Sequence, residues 1–554
     1  MFRIVLGLWL ACSMWPWVAS AVGQEFRRLS VQEYRDKMKA GWIGQIIGVS
    51  WGGPTEGRYQ KIMPLDKMPP FTEDLVNDAF GQDDLYVEMT FLRTMEEYGF
   101  DVPIRQAGID FANSGYALWV ANAMGRLNLR NGIAPPDSSH PKFHNCAGAI
   151  DYQIEADYSG LIAPGMPDVV IALGEKFGRL MNYGDGVYAG QFMGALYAEA
   201  FFETDVMKLI EAGLRAIPSE SLYAGMVRDM IHWHKENPTD WEKTWERAER
   251  KYNQDRNYNI SALDVKREGA WVLMGLLYGQ GDLDQTIIIS CRCGFDSDCN
   301  PSSSAGILFT TRGTANLPDK YYKKLDETRI FSHTAYNFPR LLNVCEKLAR
   351  QALTRVGGRV EKNAHGEEVF VIPVKASTPS KFEDLKNPGP IAGSTYTNEE
   401  MAKIRTVGLK WATRFLDGWT LANANLNAGS MLWESQGREK VFVLDGLARG
   451  ATGYTLAKTV TVPEGKAVAM EFAANCDPKT AGWKIVVQAD GKDLSSTVVN
   501  KDTMSAGWTL IRAPLPQGAN GPLAIEIAME PVTPPAERRG PPAVSLTVPQ
   551  LVNR

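Results

Sequence analysis

Two short stretches concentrate carboxylates where helices are expected to begin. "CGFDSDCNPSSSAGILF", residues 293–309, sets Asp296 and Asp298 one residue apart ahead of a small-residue helix. "FGQDDLYVEMTFLRTMEEYG", residues 80–99, sets Asp83 and Asp84 ahead of an amphipathic helix with Leu85, Met89, Leu92 and Met95 on one face. One acid at a helix start is ordinary capping and contributes about 1 kcal/mol. Two at each of two starts repel one another if they converge, unless a cation lies between them. Oxygen donors favour a hard divalent ion such as Mg2+, Mn2+ or Ca2+. Such an ion orients hydroxyls and activates water. The competing reading is that the acids only cap their helices.

Further candidates lie between these stretches. Glu56 occupies a Gly/Pro loop after a buried-looking helix, where a solvated carboxylate is the default. Asp157, in "IEADYSGLIAPG", sits among small and apolar residues as an acid/base, a sugar-hydroxyl acceptor or a helix cap. Asp185, between two glycines, reads as a turn or cap residue that could also meet substrate, and Asn145, in "HNCAGA", as a possible substrate contact. Cys291, Cys293 and Cys299 lack the second thiol or histidine pair that a zinc site needs. His232 and His234 point to different helix faces, and Pro141 separates His140 from His144. Phosphate-loop and dinucleotide glycine patterns are absent, and no G-x-S-x-G lies in a strand-to-helix context.

The elements that must position these groups are mainly helical from residue 28 to 355. Ser30 and Glu33 form a capping box, and Tyr34, Met38, Trp42 and Ile46 then recur on one face. Gly41, Gly44 and Gly48 on that helix imply close approach of a neighbouring backbone. Further helical patterns run over 85–98, 168–181, 188–203, 205–215, 221–235, 262–278, 283–291, 301–312 and 336–354. The fold class expected is a large all-α bundle rather than alternating β/α. Residues 356–384 read as a hairpin and a linker, and 385–554 as β. "LAIEIAME" and "VAMEFAAN" alternate apolar and polar positions, "QADGKDL" holds a D-G turn, and Trp419, Trp433, Trp483 and Trp508 are interspersed. Short strands at this spacing fit a β-sandwich.

The chain has 554 residues and a formal net charge of −5, with no basic run, which disfavours nucleic acid as a partner. Residues 1–21 read as a secretory signal: Arg3, an apolar core broken by Pro16, then Ala19-Ser20-Ala21 as a cleavage site. Cys12 lacks the leucine a lipoprotein signal would place before it. No later segment looks membrane-spanning, so an exported protein, periplasmic or extracellular, is expected. The six cysteines left beyond the signal are too few for a disulfide scaffold, and their pairing cannot be read.

Taken together, these motifs resemble the ADP-ribosylglycohydrolases. That family carries an early T-D-D-T type motif, matched by Gln82-Asp83-Asp84-Leu85, and a late G-G-D-T-D-T type motif, matched by Gly294-Phe295-Asp296-Ser297-Asp298-Cys299. "AGWIGQIIGVSWGGPTEG" is similar to its glycine-rich first helix, which ends in a loop carrying an acid, here Glu56. "EGAWVLMGLLYGQGDLDQTIIIS", "LIAPGMPD" and "NYGDGVYAGQFMGALYAEAF" extend the resemblance over roughly residues 30–315. It implies an all-α hydrolase in which Asp83, Asp84, Asp296 and Asp298 hold one or two Mg2+ ions, with Gln82 and Cys299 at further ligand positions. It implies hydrolysis of an N- or O-glycosidic bond at a furanose or ribose-like sugar, assisted by Glu56. Tyr183 stands where the family has a histidine facing substrate. The departures are Gln82, Leu85 and Cys299 for threonine, and they point away from ADP-ribose conjugates. The β-domain looks like the modules appended to exported carbohydrate enzymes, so a sugar or glycoconjugate is the expected partner. The rival expectations are a non-catalytic glycan- or nucleotide-binding protein with a degenerate metal site, and a chain whose function lies in the β-module.

Overall fold

The structure, a computed structural model, describes residues 24–253, 263–533 and 542–554; the signal expected over residues 1–21 lies outside them. Among the described residues no helix is long and apolar enough to cross a membrane. The N-terminal part is the expected helical bundle, and the C-terminal part is built of antiparallel sheets.

The first helix, Val31–Gly52, is capped by the Ser30 hydroxyl, which accepts from the Glu33 N–H at 3.0 Å. The return arm of a capping box is missing, because the Glu33 carboxylate pairs with Lys37 one turn on. From Ala40 to Gly52 every residue is buried, so this helix is central and its glycines set how closely its neighbour lies. A Cβ added at Gly48 would stand 2.5 Å from the Ser302 nitrogen, and one at Gly52 2.7 Å from the Asp298 Cα. The neighbour is the late helix Cys299–Arg312. The expected close backbone approach is therefore real, and it brings the start of the late helix beside the end of the first.

The remaining expected helices form within a few residues of their predicted limits, among them Asp83–Tyr98, Asp185–Ala200, Val265–Tyr278 and Phe338–Arg355. Ile104–Ala112, Val120–Arg130 and Trp241–Tyr252 are helices that apolar periodicity did not single out. Ile104–Ala112 is only two and a half turns long, and Val120–Arg130 lacks an apolar stripe among its asparagines and arginines.

Two connecting segments differ from the sequence reading. The hairpin of Arg359–Lys362 and Glu368–Pro373 is not a free connector, because an unforeseen N-terminal strand, Phe26–Ser30, pairs antiparallel with Glu368–Pro373. The supposed linker is a strap bound along the bundle. Thr378 donates its N–H to Asp168 at 3.0 Å, Tyr188 its hydroxyl to the Lys381 carbonyl at 2.8 Å, and Ala392 and Ser394 their N–H groups to Asp137 at 2.9 and 2.7 Å.

Beyond the strap, one sheet runs in the order Lys492–Val499, Trp483–Ala489, Gly521–Pro531, Tyr454–Val462, Thr420–Ala422. A second is built around Val468–Cys476 and Arg438–Leu444. The D-G turn joins Trp483–Ala489 to Lys492–Val499, with Asp490 and Gly491 at φ 45° and 76°. Trp419, Trp483 and Trp508 are buried and Trp433 is half-buried, its indole N–H donating to the Ile404 carbonyl at 3.1 Å. These tryptophans serve the core. Cys146, Cys291, Cys293, Cys299, Cys345 and Cys476 are all free thiols.

Candidate metal centre

The glycine contacts between the two central helices place the loop after the first helix against the loop before the late one. Thr55 Oγ1 lies 2.8 Å from Ser297 Oγ. The Gly57 N–H donates to the Phe295 carbonyl at 3.0 Å, and the Phe295 N–H to the Tyr59 carbonyl at 2.7 Å. Glu56 is thereby laced beside the 294–298 loop. That loop turns through left-handed conformations at Gly294 (φ 79°) and Phe295 (φ 59°). The second is strained for a residue with a side chain. The Arg267 guanidinium holds the Phe295 ring at 3.7 Å from its centroid. Glu268 pairs with Arg267 at 2.9 Å, accepts from Asn300 Nδ2 at 2.9 Å and accepts the Asp296 N–H. The loop that aims Asp296 is thus tied down on both sides.

Capping does not account for the acids: Asp83 accepts first-turn N–H groups, but neither Asp84 oxygen accepts any. Gln82 is the N-cap of Asp83–Tyr98 and Asp298 the N-cap of the late helix, and neither side chain makes a capping bond. Instead, oxygens of Asp83 and Asp84 and the Cys299 sulfur lie within 4.8 Å of one another, and so do oxygens of Asp296 and Asp298 with the same sulfur. Bonds of about 2.0–2.6 Å let one divalent ion span such a gap.

Electrostatics point the same way. Asp84 is fully buried, and neither of its oxygens has a hydrogen-bond partner. Burial, then the charges of Asp83 and Asp298, push its pKa well above the carboxylate range. Burial, then Asp298, Glu268 and Asp84, do the same to Asp296. Burial and the Glu56 charge push Asp298 up to about 7. Asp83 is raised by burial. Among the described residues none of the four forms an ion pair; Arg267, beside them, is engaged by Glu268. Buried carboxylates without counter-charge cost several kcal/mol. A divalent ion would supply that counter-charge, so the donor set fits one.

The other ligand positions are weaker. Gln82 is half-buried near the exit of the first helix, its Nε2 3.4 Å from where a Cβ on Gly53 would be. Leu85 is turned into the core. Burial keeps the Cys299 thiol protonated well past neutrality, and a neutral thiol is a poor ligand for a hard ion.

Asp157 lies behind this cluster, fully buried. It accepts the Tyr197 hydroxyl at 2.9 Å and the Ser303 hydroxyl at 3.3 Å, and burial pushes its pKa up to about 8. Glu56 is exposed at the rim, with its pKa raised by partial shelter and then by Asp83. The site therefore gathers Glu56, Gln82, Asp83, Asp84, Asp157, Asp296, Asp298 and Cys299. It does not gather the other three candidates. Asn145 is exposed and accepts only the neighbouring Cys146 thiol, at 3.4 Å. Asp185 accepts the Tyr223 N–H at 2.8 Å at the start of another helix. The Tyr183 hydroxyl accepts from the Gly389 N–H of the strap at 3.0 Å, in a separate cavity of about 810 Å³ lined by His140, Arg179 and Glu383.

Sequence reasoning missed four buried acids. Glu88 accepts the Tyr158 N–H at 2.8 Å; Asp151 accepts the Ala121 and Asn122 N–H groups at 3.0 Å each; Glu155 accepts the Asn122 amide; Glu268 anchors the late loop. A charge inside an otherwise apolar run was the available signal, as in Glu88, one turn after Asp84 on the same helix.

Comparison with solved structures shows a likeness to an ADP-ribosylglycohydrolase-related protein complex, at 14% identity and a TM-score of 0.40, covering 59% of this chain and 99% of that one. A carbohydrate-binding module in complex with β-1,4-galactotriose (12% identity, TM-score 0.19) covers 25% of this chain and 90% of its own. A family 35 carbohydrate-binding module from Clostridium thermocellum (14% identity, TM-score 0.16) covers 24% and 92%. Comparison with curated proteins finds no match. The model of the ADP-ribosylglycohydrolase family matches residues 30–357. That span is more than half of the chain and contains the glycine-packed helix pair and all four converging aspartates, so the protein belongs to the ADP-ribosylglycohydrolase family of glycosyl-bond hydrolases.

Proposed function

We propose that this protein is an exported, magnesium-dependent glycosidase that cleaves an N- or O-glycosidic bond at a furanose or ribose-like sugar. The observation that carries this reading is the convergence of carboxylates from two helix starts on one sulfur, with both Asp84 oxygens buried and unpartnered. Asp83, Asp84, Asp296 and Asp298 would hold the ion, with Gln82 and Cys299 as outlying donors; Mn2+ or Ca2+ suit the same oxygens. When bound, such an ion would supply positive charge for holding vicinal sugar hydroxyls. Glu56, at the rim with a raised pKa, is the group available to move a proton at the attacking water or the leaving oxygen. The surrounding carboxylates favour the positive charge of an oxocarbenium-like transition state. Asp157 touches none of the reacting atoms in this reading. Burial, which raises its pKa to about 8, limits the negative charge behind Asp84 near neutral pH. Export rests on the signal pattern of residues 1–21, and carbohydrate binding by the sandwich on its strand and turn pattern.

A screen of nitrophenyl glycosides and ADP-ribose conjugates, with and without EDTA, tests the activity. The Asp296→Asn/Asp298→Asn double variant is expected to lose turnover while keeping its helical circular dichroism; surviving activity overturns the metal mechanism. Leu85 and Cys299, where hydroxyl donors would serve a hard ion, favour a second reading as a glycan- or nucleotide-binding protein. Magnesium-dependent binding without turnover selects it.

A further inference from the structure

Trp119 is 57% exposed, and no other tryptophan is exposed among the described residues. It immediately precedes helix Val120–Arg130, and the next residue, Val120, is held at φ 38°. A β-branched residue in that region is strained, and such strain persists only where surrounding contacts impose it. Those contacts are on every side. Arg126 Nη1 donates to the Ser114 and Tyr116 carbonyls at 3.2 and 2.7 Å. The Tyr86 hydroxyl donates to the Ala117 carbonyl at 3.0 Å. The Ala121 and Asn122 N–H groups are fixed on Asp151.

Two of these anchors, Tyr86 and Asp151, lead to the carboxylate cluster. Tyr86 is three residues beyond Asp83 on the same helix, and the Asp83 charge contributes to raising the pKa values of Asp151 and Glu155. Tyr86 and Tyr116 lie 4.5 Å apart between their ring centroids, with His333 edge-on to both at 5.5 and 5.7 Å, backing the loop with aromatic surface. The chain therefore spends a strained residue and a full set of anchors on a loop that presents one exposed indole two residues from Ala117, which Tyr86 ties to the helix carrying Asp83 and Asp84.

We propose that Trp119 is an aromatic platform at the mouth of the carboxylate site, stacking on the apolar C–H face of a second, neutral sugar ring on the leaving-group side. The inference rests on the glycosidase reading and deepens it, because it requires a substrate of at least two sugar rings. The first sugar is engaged through its hydroxyls at the aspartates, so a ring over Trp119 is its neighbour. Neutrality follows from charge at the rim: Glu56 is exposed and forms no ion pair among the described residues, so a phosphate on the leaving-group side meets a like charge there.

The test uses the full chain with excess magnesium and a panel of methyl glycosides and disaccharides of ribofuranose, arabinofuranose and galactofuranose. For the sugar turned over fastest, Trp119→Ala is expected to raise KM for the disaccharide about threefold to tenfold with kcat little changed. It should leave the methyl glycoside within about twofold. Trp119→Tyr, which keeps a flat ring, is expected to restore most of the disaccharide KM, and circular dichroism to report both variants folded. Equal losses on both substrates, or none on either, overturn the platform. A wild-type chain that turns over no member of the panel overturns the glycosidase reading and the platform with it.

Discussion

Without a divalent ion the carboxylate cluster bears its own repulsion, and Asp298 sets the scale of the effect. Its pKa moves from an ordinary 3.8 to about 7 in the fold, through burial first and the Glu56 charge second. In the unfolded chain it ionises near the ordinary value. A carboxylate with a raised folded pKa contributes its full stability below the unfolded value, and that contribution is lost as pH rises to the folded one. Metal-free protein should therefore weaken between about pH 4 and pH 7, by several kcal/mol shared between Asp298 and the acids it faces. Asp157, raised to about 8, adds a slope of the same sign that lies behind the ion site. An ion at a hundred times its dissociation constant returns about 2.7 kcal/mol, or roughly 5 °C in melting temperature for a domain of this size. The assay is thermal unfolding of EDTA-treated protein at a series of pH values, with and without magnesium. The expected pattern is a magnesium-dependent rise above pH 7 that shrinks below pH 5 and disappears in Asp84→Asn/Asp298→Asn. Identical melting with and without magnesium and manganese at every pH, or an undiminished rise in the double variant, refutes the cation site.

Glu56→Gln should lower kcat about 10²–10⁴-fold with little change in melting temperature, measured on the best substrate of the glycoside screen. Gly48→Ala drives a Cβ onto the backbone of the late helix, 2.5 Å from the Ser302 nitrogen, and should cost about 2–3 kcal/mol in urea unfolding together with metal response. Asp137→Ala removes the acceptor of two strap N–H groups and should loosen the strap by about 2 kcal/mol. Trypsin is then expected to cut at the exposed Lys381 and Lys386 faster than in the wild type.

The paired aspartates were legible because two acids at a helix start exceed what capping uses, and the glycine row of the first helix was legible because its spacing matches one helical face. Glu56 could be singled out only by resemblance; what makes it part of the site is the Gly57–Phe295 and Phe295–Tyr59 pairing, a long-range contact that no local pattern encodes. Glu88 escaped notice as a single acid among apolar residues, and Asp151 and Glu155 because they sit close before Asp157 in a short segment whose burial depends on packing between helices remote in sequence. The strap misled for a related reason. Its Pro, Gly and Ser content describes the absence of regular structure, yet its backbone groups find partners in Asp137, Asp168, Tyr183 and Tyr188 on the bundle. Residues 1–21 remain an expectation from composition alone.

Helix Val120–Arg130 begins on the buried Asp151 and ends against the C-terminal sheets. Its first amides rest on Asp151, while Asn131, just past its end, accepts the Trp411 N–H at 3.3 Å, and Arg105 and Asn113 hold Glu400 and Arg405 alongside. Eleven residues at 1.5 Å each make a rod of about 16 Å. Sandwich and bundle are thus geared together rather than tethered. A tilt of the sheets against the bundle would be carried along that rod to Val120 and its neighbour Trp119.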